Sequence, residues 1–216
     1  MTTQAVLFDL DGTLADTALD LGSALNRLLA EEGRPAQPDH LIRPIASHGA
    51  RALIALGFGI HPDHPGFAEL RARFLDHYDH SFADRTCLFD GVPELIGALD
   101  QRGLPWGIIT NKPMRFTDRL IPTLPFPVAP RVVVSGDTVG VAKPDPRPMH
   151  YACERIGLDP RDCLYVGDAE RDIQAGRNAG MRTALAAWGY IADSDRPDEW
   201  GADIHIATPL DLLAHL

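Results

Sequence analysis

The sequence predicts an α/β fold: a doubly wound, Rossmann-like parallel sheet with an inserted all-helical domain. Three observations lead there. Short apolar runs alternate with helical spacing along most of the 216 residues, the pattern of sheets built from βαβ units. Polar residues gather just after those runs, where open parallel sheets bind ligands. One interval, Ala15 to about Phe82, breaks the alternation and carries helical spacing only.

The expected strands are Ala5–Leu10, Trp106–Thr110, Val132–Ser135, Cys163–Gly167 and Thr183–Ala187, with a short sixth at Ala202–Ile206. Pro93 opens a helix with Leu95, Ile96 and Leu99 on one face and Gly103 as its stop. Met149, Ala152, Cys153 and Ile156 mark a second, ended by Gly157, and a third runs from about Glu170 to Ala179 before Gly180. Pro at a helix start and Gly past its end are the expected punctuation. Pro209 opens a last helix ending in Leu212, Leu213 and Leu216. In the interrupting interval Leu21, Leu25, Leu28 and Leu29 form one apolar stripe, and Phe67, Leu70, Phe74, Leu75 and Tyr78 another. The expected organisation is a core of residues 1–14 and 83–216, with a helical cap of four or five helices at 15–82.

Composition narrows the function. Hydrophobic residues make up 45% and charged residues 23%, as in ordinary globular proteins. No apolar run approaches the roughly 18 residues of a membrane helix, and the N-terminus lacks the basic segment of a signal peptide. Three cysteines without CxxC spacing argue against a disulfide scaffold, so a reduced cytoplasm is expected. A net charge of −10 disfavours a general nucleic-acid surface and leaves recognition of an anion to local cations. The expected partner is a small phosphorylated metabolite, with no membrane and no obligate protein partner.

Asp9 and Asp11 stand two residues apart in FDLDGTLADT, where the first strand ends. Two acids beside an apolar core are costly unless a cation joins them or one is protonated. Thr110 and Asn111 end the second core strand, Lys143 follows the third in VAKPDP, and Gly167-Asp168 ends the fourth, with Asp172 one turn on. Several carboxylates at one crevice call for a hard cation such as Mg²⁺, which bridges carboxylates to phosphate; Asp9 and Asp168 are its expected side-chain ligands. Thr110, Asn111 and Lys143 are donors suited to phosphate oxygens. Asp9 is then a nucleophile that forms an aspartyl-phosphate, and Asp11 the acid that protonates the leaving oxygen and later activates water.

DLDGT at Asp9–Thr13, Thr110 after an apolar strand, Lys143 before Pro144 and GDAERD at Gly167–Asp172 together resemble the haloacid dehalogenase-like phosphatases. The resemblance spans essentially the whole chain and makes the helical insertion that family's C1 cap. It implies a Mg²⁺-dependent phosphatase in which Asp9 is nucleophile and ligand, and Asp11 is acid/base and ligates through its backbone carbonyl. Asp168 completes the ligands, Asp172 supports them from the second shell, and Thr110 and Lys143 hold the phosphoryl group. True dehalogenases of the family lack the second acid, so hydrolysis of a phosphate ester is favoured.

The chain also resembles the phosphoglycolate phosphatase-like subgroup. Leu41–Ile54, Trp106–Phe116, Trp188–Ile191 and Glu199–Asp203 are similar to stretches of bacterial N-acetylmuramic acid 6-phosphate phosphatases. Both implied substrates carry a carboxylate, which an arginine in the cap would bind; Arg43, His48 and Arg51 are the candidates, with Gly49 for close backbone approach. N-acetylmuramic acid 6-phosphate is favoured, which implies a place in peptidoglycan recycling; 2-phosphoglycolate, a sugar phosphomutase reaction and a non-catalytic binding module are the alternatives. The His61/His64 and His77/His80 pairs have metal-like spacing but no third ligand nearby, so a solvated face is expected for them. Cys87, Cys153 and Cys163 lack a neighbouring base and are expected to be inert.

Overall fold

The computed structural model describes residues 3–216. It forms two compact units, one from the residues up to Ala15 together with Leu88–Leu216, the other from Asp16–Cys87. The strands are β1 (Ala5–Phe8), β2 (Ala15–Asp16), β3 (Cys87–Leu88), β4 (Trp106–Ile109), β5 (Val133–Val134), β6 (Cys163–Gly167), β7 (Arg182–Ala186) and β8 (Ile204–Ile206). The helices are α1 (Ala18–Glu31), α2 (Asp39–Ile42), α3 (Gly49–Phe58), α4 (Phe67–Ser81), α5 (Val92–Gln101), α6 (Met114–Leu120), α7 (Arg147–Ile156) and α8 (Glu170–Asn178).

Six strands pair in the order β5-β4-β1-β6-β7-β8, all parallel. β1 is central, with Val6 opposite Trp106 on one side and Leu164 on the other. Every residue of β1, β4 and β6 is buried, which explains why these strands read as unbroken apolar runs rather than alternating ones. The chain leaves β1 toward β4 and β5, then returns to β6 on the other side, so β1, β4 and β6 flank the reversal where such sheets bind ligands.

β1 stops at Phe8, short of the expected Leu10. The Asp9 N–H still donates to Val166 O at 2.9 Å, but Leu10 O then accepts from Leu14 N–H (3.0 Å) and Ala15 N–H (2.8 Å), closing a turn. The seven-residue α6 has no counterpart among the expected helices; it is too short for a periodic signal to stand out. The segment after Pro209 is a 3₁₀ helix over Pro209–His215.

In the helical unit α1 buries Leu21, Leu25, Leu28 and Leu29, α3 buries Leu53 and Ile54, and α4 buries Leu70, Phe74 and Tyr78. Asp20, 1% exposed, accepts the N–H groups of Arg85 (3.1 Å) and Thr86 (2.9 Å) and the Thr86 hydroxyl (2.7 Å). These bonds tie residues 85 and 86 to α1, which carries this unit past the expected return at residue 83. Cys153 and Cys163 are buried in the core and Cys87 is exposed. Among the described residues, no helix is long and apolar enough to cross a membrane.

Candidate active site

Asp9, Thr110 and Asp168 each directly follow the last residue of β1, β4 and β6. Because those strands are neighbours in register, three residues far apart in sequence meet at one edge of the sheet. Asp172 joins them from the first turn of α8, where its Oδ2 accepts the Ala169 N–H at 3.1 Å and so steadies the helix start. Asp9, Asp168, Asp172 and Lys143 are all buried.

Lys143 stands at the centre of this group. Its Nζ lies 2.9 Å from Asp9 Oδ1 and 2.7 Å from Asp172 Oδ1, while it donates to Ile109 O (2.8 Å) and to the Tyr165 hydroxyl (2.7 Å). The Tyr165 hydroxyl in turn donates to Ile109 O at 2.7 Å. Asp9 Oδ1 and Asp172 Oδ1 are thus ion-paired with one ammonium, but neither accepts a well-aligned hydrogen bond.

That deficit sets the electrostatics. Burial holds the Asp9 carboxyl above the usual carboxylate range; Lys143 opposes this and Asp172 adds to it. Arg171 is held above its usual value by Asp172, Asp9 and Asp168, against the opposing effect of burial. Asp9, Asp168 and Asp172 bring oxygens within 4.8 Å of one another. Three buried acids with two unbonded oxygens are a donor set that fits a hard, oxygen-loving dication such as Mg²⁺.

The loop after β7 orients Asp168. Its Oδ2 accepts the Tyr190 N–H at 2.9 Å and its Oδ1 the Thr13 hydroxyl at 3.3 Å, while Trp188 Nε1 donates to Thr13 O at 3.0 Å. Gly189 makes this approach possible, since a Cβ there would sit 2.2 Å from Asp168 Cβ and 2.6 Å from Gly12 O. Gly189→Ala is therefore expected to displace Asp168 and cost about 1–3 kcal/mol of stability, as overpacking does; a chemical denaturation curve checks it.

Thr110 Oγ1 accepts the Lys112 N–H at 3.1 Å, which directs the hydroxyl proton elsewhere. Asn111 uses both ends of its side-chain amide on the backbone of Lys143: Oδ1 accepts its N–H (2.9 Å) and Nδ2 donates to its carbonyl (3.0 Å). Its side chain thus holds the Lys143 backbone and keeps one Nδ2–H beyond these two bonds. Asp11 sits on the turn after β1, with Lys112 Nζ 2.9 Å from its Oδ1.

Arg43, His48, Gly49 and Arg51 belong to the helical unit, on a 3₁₀ turn (Arg43–His48) and the start of α3. Arg43 pairs with Asp16 at 2.8 Å, Arg51 is exposed, and Gly49 has a φ of 61° with nothing within 4 Å of a Cβ built on it. His77 pairs with Glu31 at 3.1 Å and His80 Nδ1 lies 2.6 Å from Asp76 O. Sequence reasoning assigned no role to Tyr165, Lys112, Arg171 or Gly189. All four stand inside or beside quoted stretches: Tyr165 in the fourth strand, Arg171 in GDAERD, Lys112 directly after Thr110-Asn111 and Gly189 in WGYI, which was the available signal.

The haloacid dehalogenase-like hydrolase model matches residues 6–186. N-acetylmuramic acid 6-phosphate phosphatase of Pseudomonas putida is 44% identical over 212 residues, 98% of this chain and 95% of that protein. Phosphoglycolate phosphatase of Xanthomonas campestris pv. campestris is 41% identical over 206 residues, 95% of this chain and 93% of that one. A haloacid dehalogenase-like hydrolase from Streptococcus pneumoniae shares the fold at a TM-score of 0.86 and 21% identity, covering 99% of this chain and 98% of its own. With the match running from β1 to β7 and relatives aligned along nearly the whole chain, this protein belongs to the haloacid dehalogenase-like hydrolase family.

Proposed function

We propose that this protein hydrolyses phosphate monoesters through an aspartyl-phosphate on Asp9, with N-acetylmuramic acid 6-phosphate as its substrate. The observation that carries the chemistry is the Asp9 carboxylate: buried, beside Lys143, with one oxygen that accepts no hydrogen bond. Asp9 attacks phosphorus as the bond to the leaving oxygen breaks, and Asp11 gives that oxygen its proton. Asp11 then takes a proton from water, which attacks the same phosphorus and frees Asp9 and inorganic phosphate. Thr110 donates its hydroxyl to a phosphoryl oxygen, and Lys143, held by Tyr165 and Asn111, places its charge beside the reacting group.

Asp9, Asp168 and the Asp11 backbone carbonyl would hold Mg²⁺, with Asp172 fixing Lys143 and the start of α8 behind them. Bound there, the ion supplies positive charge to the transferring phosphoryl oxygens. Arg43, His48, Gly49 and Arg51 are the proposed contacts for the substrate's carboxylate-bearing end.

The 44% identity to an N-acetylmuramic acid 6-phosphate phosphatase supports the substrate. The 41% identity to a phosphoglycolate phosphatase favours 2-phosphoglycolate as the second reading. Phosphate release with Mg²⁺ on both compounds separates them. The sugar phosphate is expected to win by about 100-fold in kcat/KM, or about 2.7 kcal/mol of differential transition-state binding; a preference for phosphoglycolate overturns the substrate and keeps the chemistry.

A further inference from the structure

We infer that Lys112 is a positioning residue for this reaction: its ammonium holds one oxygen of the Asp11 carboxyl group and so aims the other, which carries the proton, at the leaving oxygen. The inference rests on the acid role proposed for Asp11.

Lys112 is a buried lysine. Its side chain is 5% exposed and its Nζ lies 2.9 Å from Asp11 Oδ1, on a side chain 15% exposed. A buried ammonium needs an anionic partner to offset its lost hydration, and the acid on the turn after β1 provides it. The lysine's backbone is fixed at both ends, its N–H on Thr110 Oγ1 at 3.1 Å and its carbonyl on the Gly136 N–H at 2.9 Å. Thus the end of β4 is a rigid mount, and the side chain reaches from it to the end of the adjacent strand β1.

Asp11 needs such a mount. It lies on the turn past the end of β1, joined to Ala15 by an isolated bridge. A general acid works only within hydrogen-bond reach of the oxygen it protonates, so a carboxylate swinging on a turn would lose rate. The two lysines then divide the work. Lys143 serves the nucleophile, between Asp9 and Asp172, and Lys112 serves the acid.

The test exploits what an acid does and a merely structural lysine does not. An alkyl phosphate needs its leaving oxygen protonated, whereas p-nitrophenyl phosphate leaves as a stabilised anion and needs little help. Because kcat/KM reports steps only through departure of the leaving group, it excludes the later hydrolysis of the aspartyl-phosphate. Lys112→Met, Lys112→Arg and Asp11→Asn are each compared with the parent protein on p-nitrophenyl phosphate and on the better of the two alkyl phosphates above. Lys112→Met is expected to lower kcat/KM on the alkyl phosphate by about 10–100-fold, part of the range that general acid catalysis supplies, and on the aryl phosphate only a few-fold. Lys112→Arg, which keeps the cation, should recover much of the loss. The ratio of the two substrates is independent of the fraction of protein that folds.

An equal fall on both substrates would make Lys112 a phosphate contact or a structural residue, and the inference fails. If Asp11→Asn shows the leaving-group dependence and Lys112→Met does not, only this inference fails. If Asp11→Asn itself shows none, the acid role of Asp11 falls and takes the inference with it.

Discussion

Replacing Asp9 with Asn is expected to abolish phosphate release, by on the order of 10⁶-fold in kcat, the scale of losing a covalent nucleophile. The change is isosteric and removes one charge from a pocket in which Asp9 and Asp172 share a single ammonium. Burial and Asp172 both disfavour the ionised Asp9, so neutralising it should leave the folded state as stable or more so. Loss of turnover together with an unchanged or raised unfolding midpoint places Asp9 in the chemistry rather than in the fold. In the parent protein, acid-quenched mass spectrometry should find one phosphoryl group on the peptide containing Asp9. An Asp9→Asn protein that still turned over at the parent rate would remove the proposed mechanism altogether.

Lys143→Met carries the second large effect, on both activity and stability. Its ammonium is the cation set between Asp9 and Asp172. Removing one partner of a buried charge group costs about 3–5 kcal/mol, and losing the charge beside the phosphoryl group should lower kcat/KM by about 10²–10³-fold. The stability deficit should depend on pH. Without Lys143 the carboxyl of Asp9, already raised by burial, rises further above its unfolded value of about 3.9. A group whose folded value is raised contributes stability below the unfolded value, lost as pH rises through the folded one. The variant should therefore lose stability relative to the parent between about pH 5 and about pH 8. Denaturation curves at both pH values check this, and a deficit independent of pH would show that lost packing, not charge, is responsible.

Much of this was legible in the chain. Unbroken apolar runs named the five main strands, because strands buried on both faces have no polar side to interrupt them. Acids, a hydroxyl and a lysine just past those runs could be placed together without coordinates, since parallel strands deliver their ends to one edge. What escaped depends on approach in space. The Trp188–Tyr190 loop packs on Asp168 and Thr13, and no spacing rule links them. Tyr165 lies inside the fourth apolar run, and nothing in that run tells that its hydroxyl meets Lys143. Asn111 read as a phosphate donor because its type suits that task; its hold on the Lys143 backbone, on another loop, had no mark in the sequence.

The central place of β1 has a consequence for how the protein is made. Its two neighbours, β4 and β6, are encoded far downstream, with the whole of Asp16–Cys87 translated in between. The helical unit holds its own contacts within one continuous stretch and can form early. β1, which leaves the ribosome before the other five strands of its sheet, is left with an open edge until Gly167 has followed it. Such a long wait for a non-local partner slows folding and exposes an apolar strand to aggregation, so a nascent chain stalled before β6 is a natural client for chaperones.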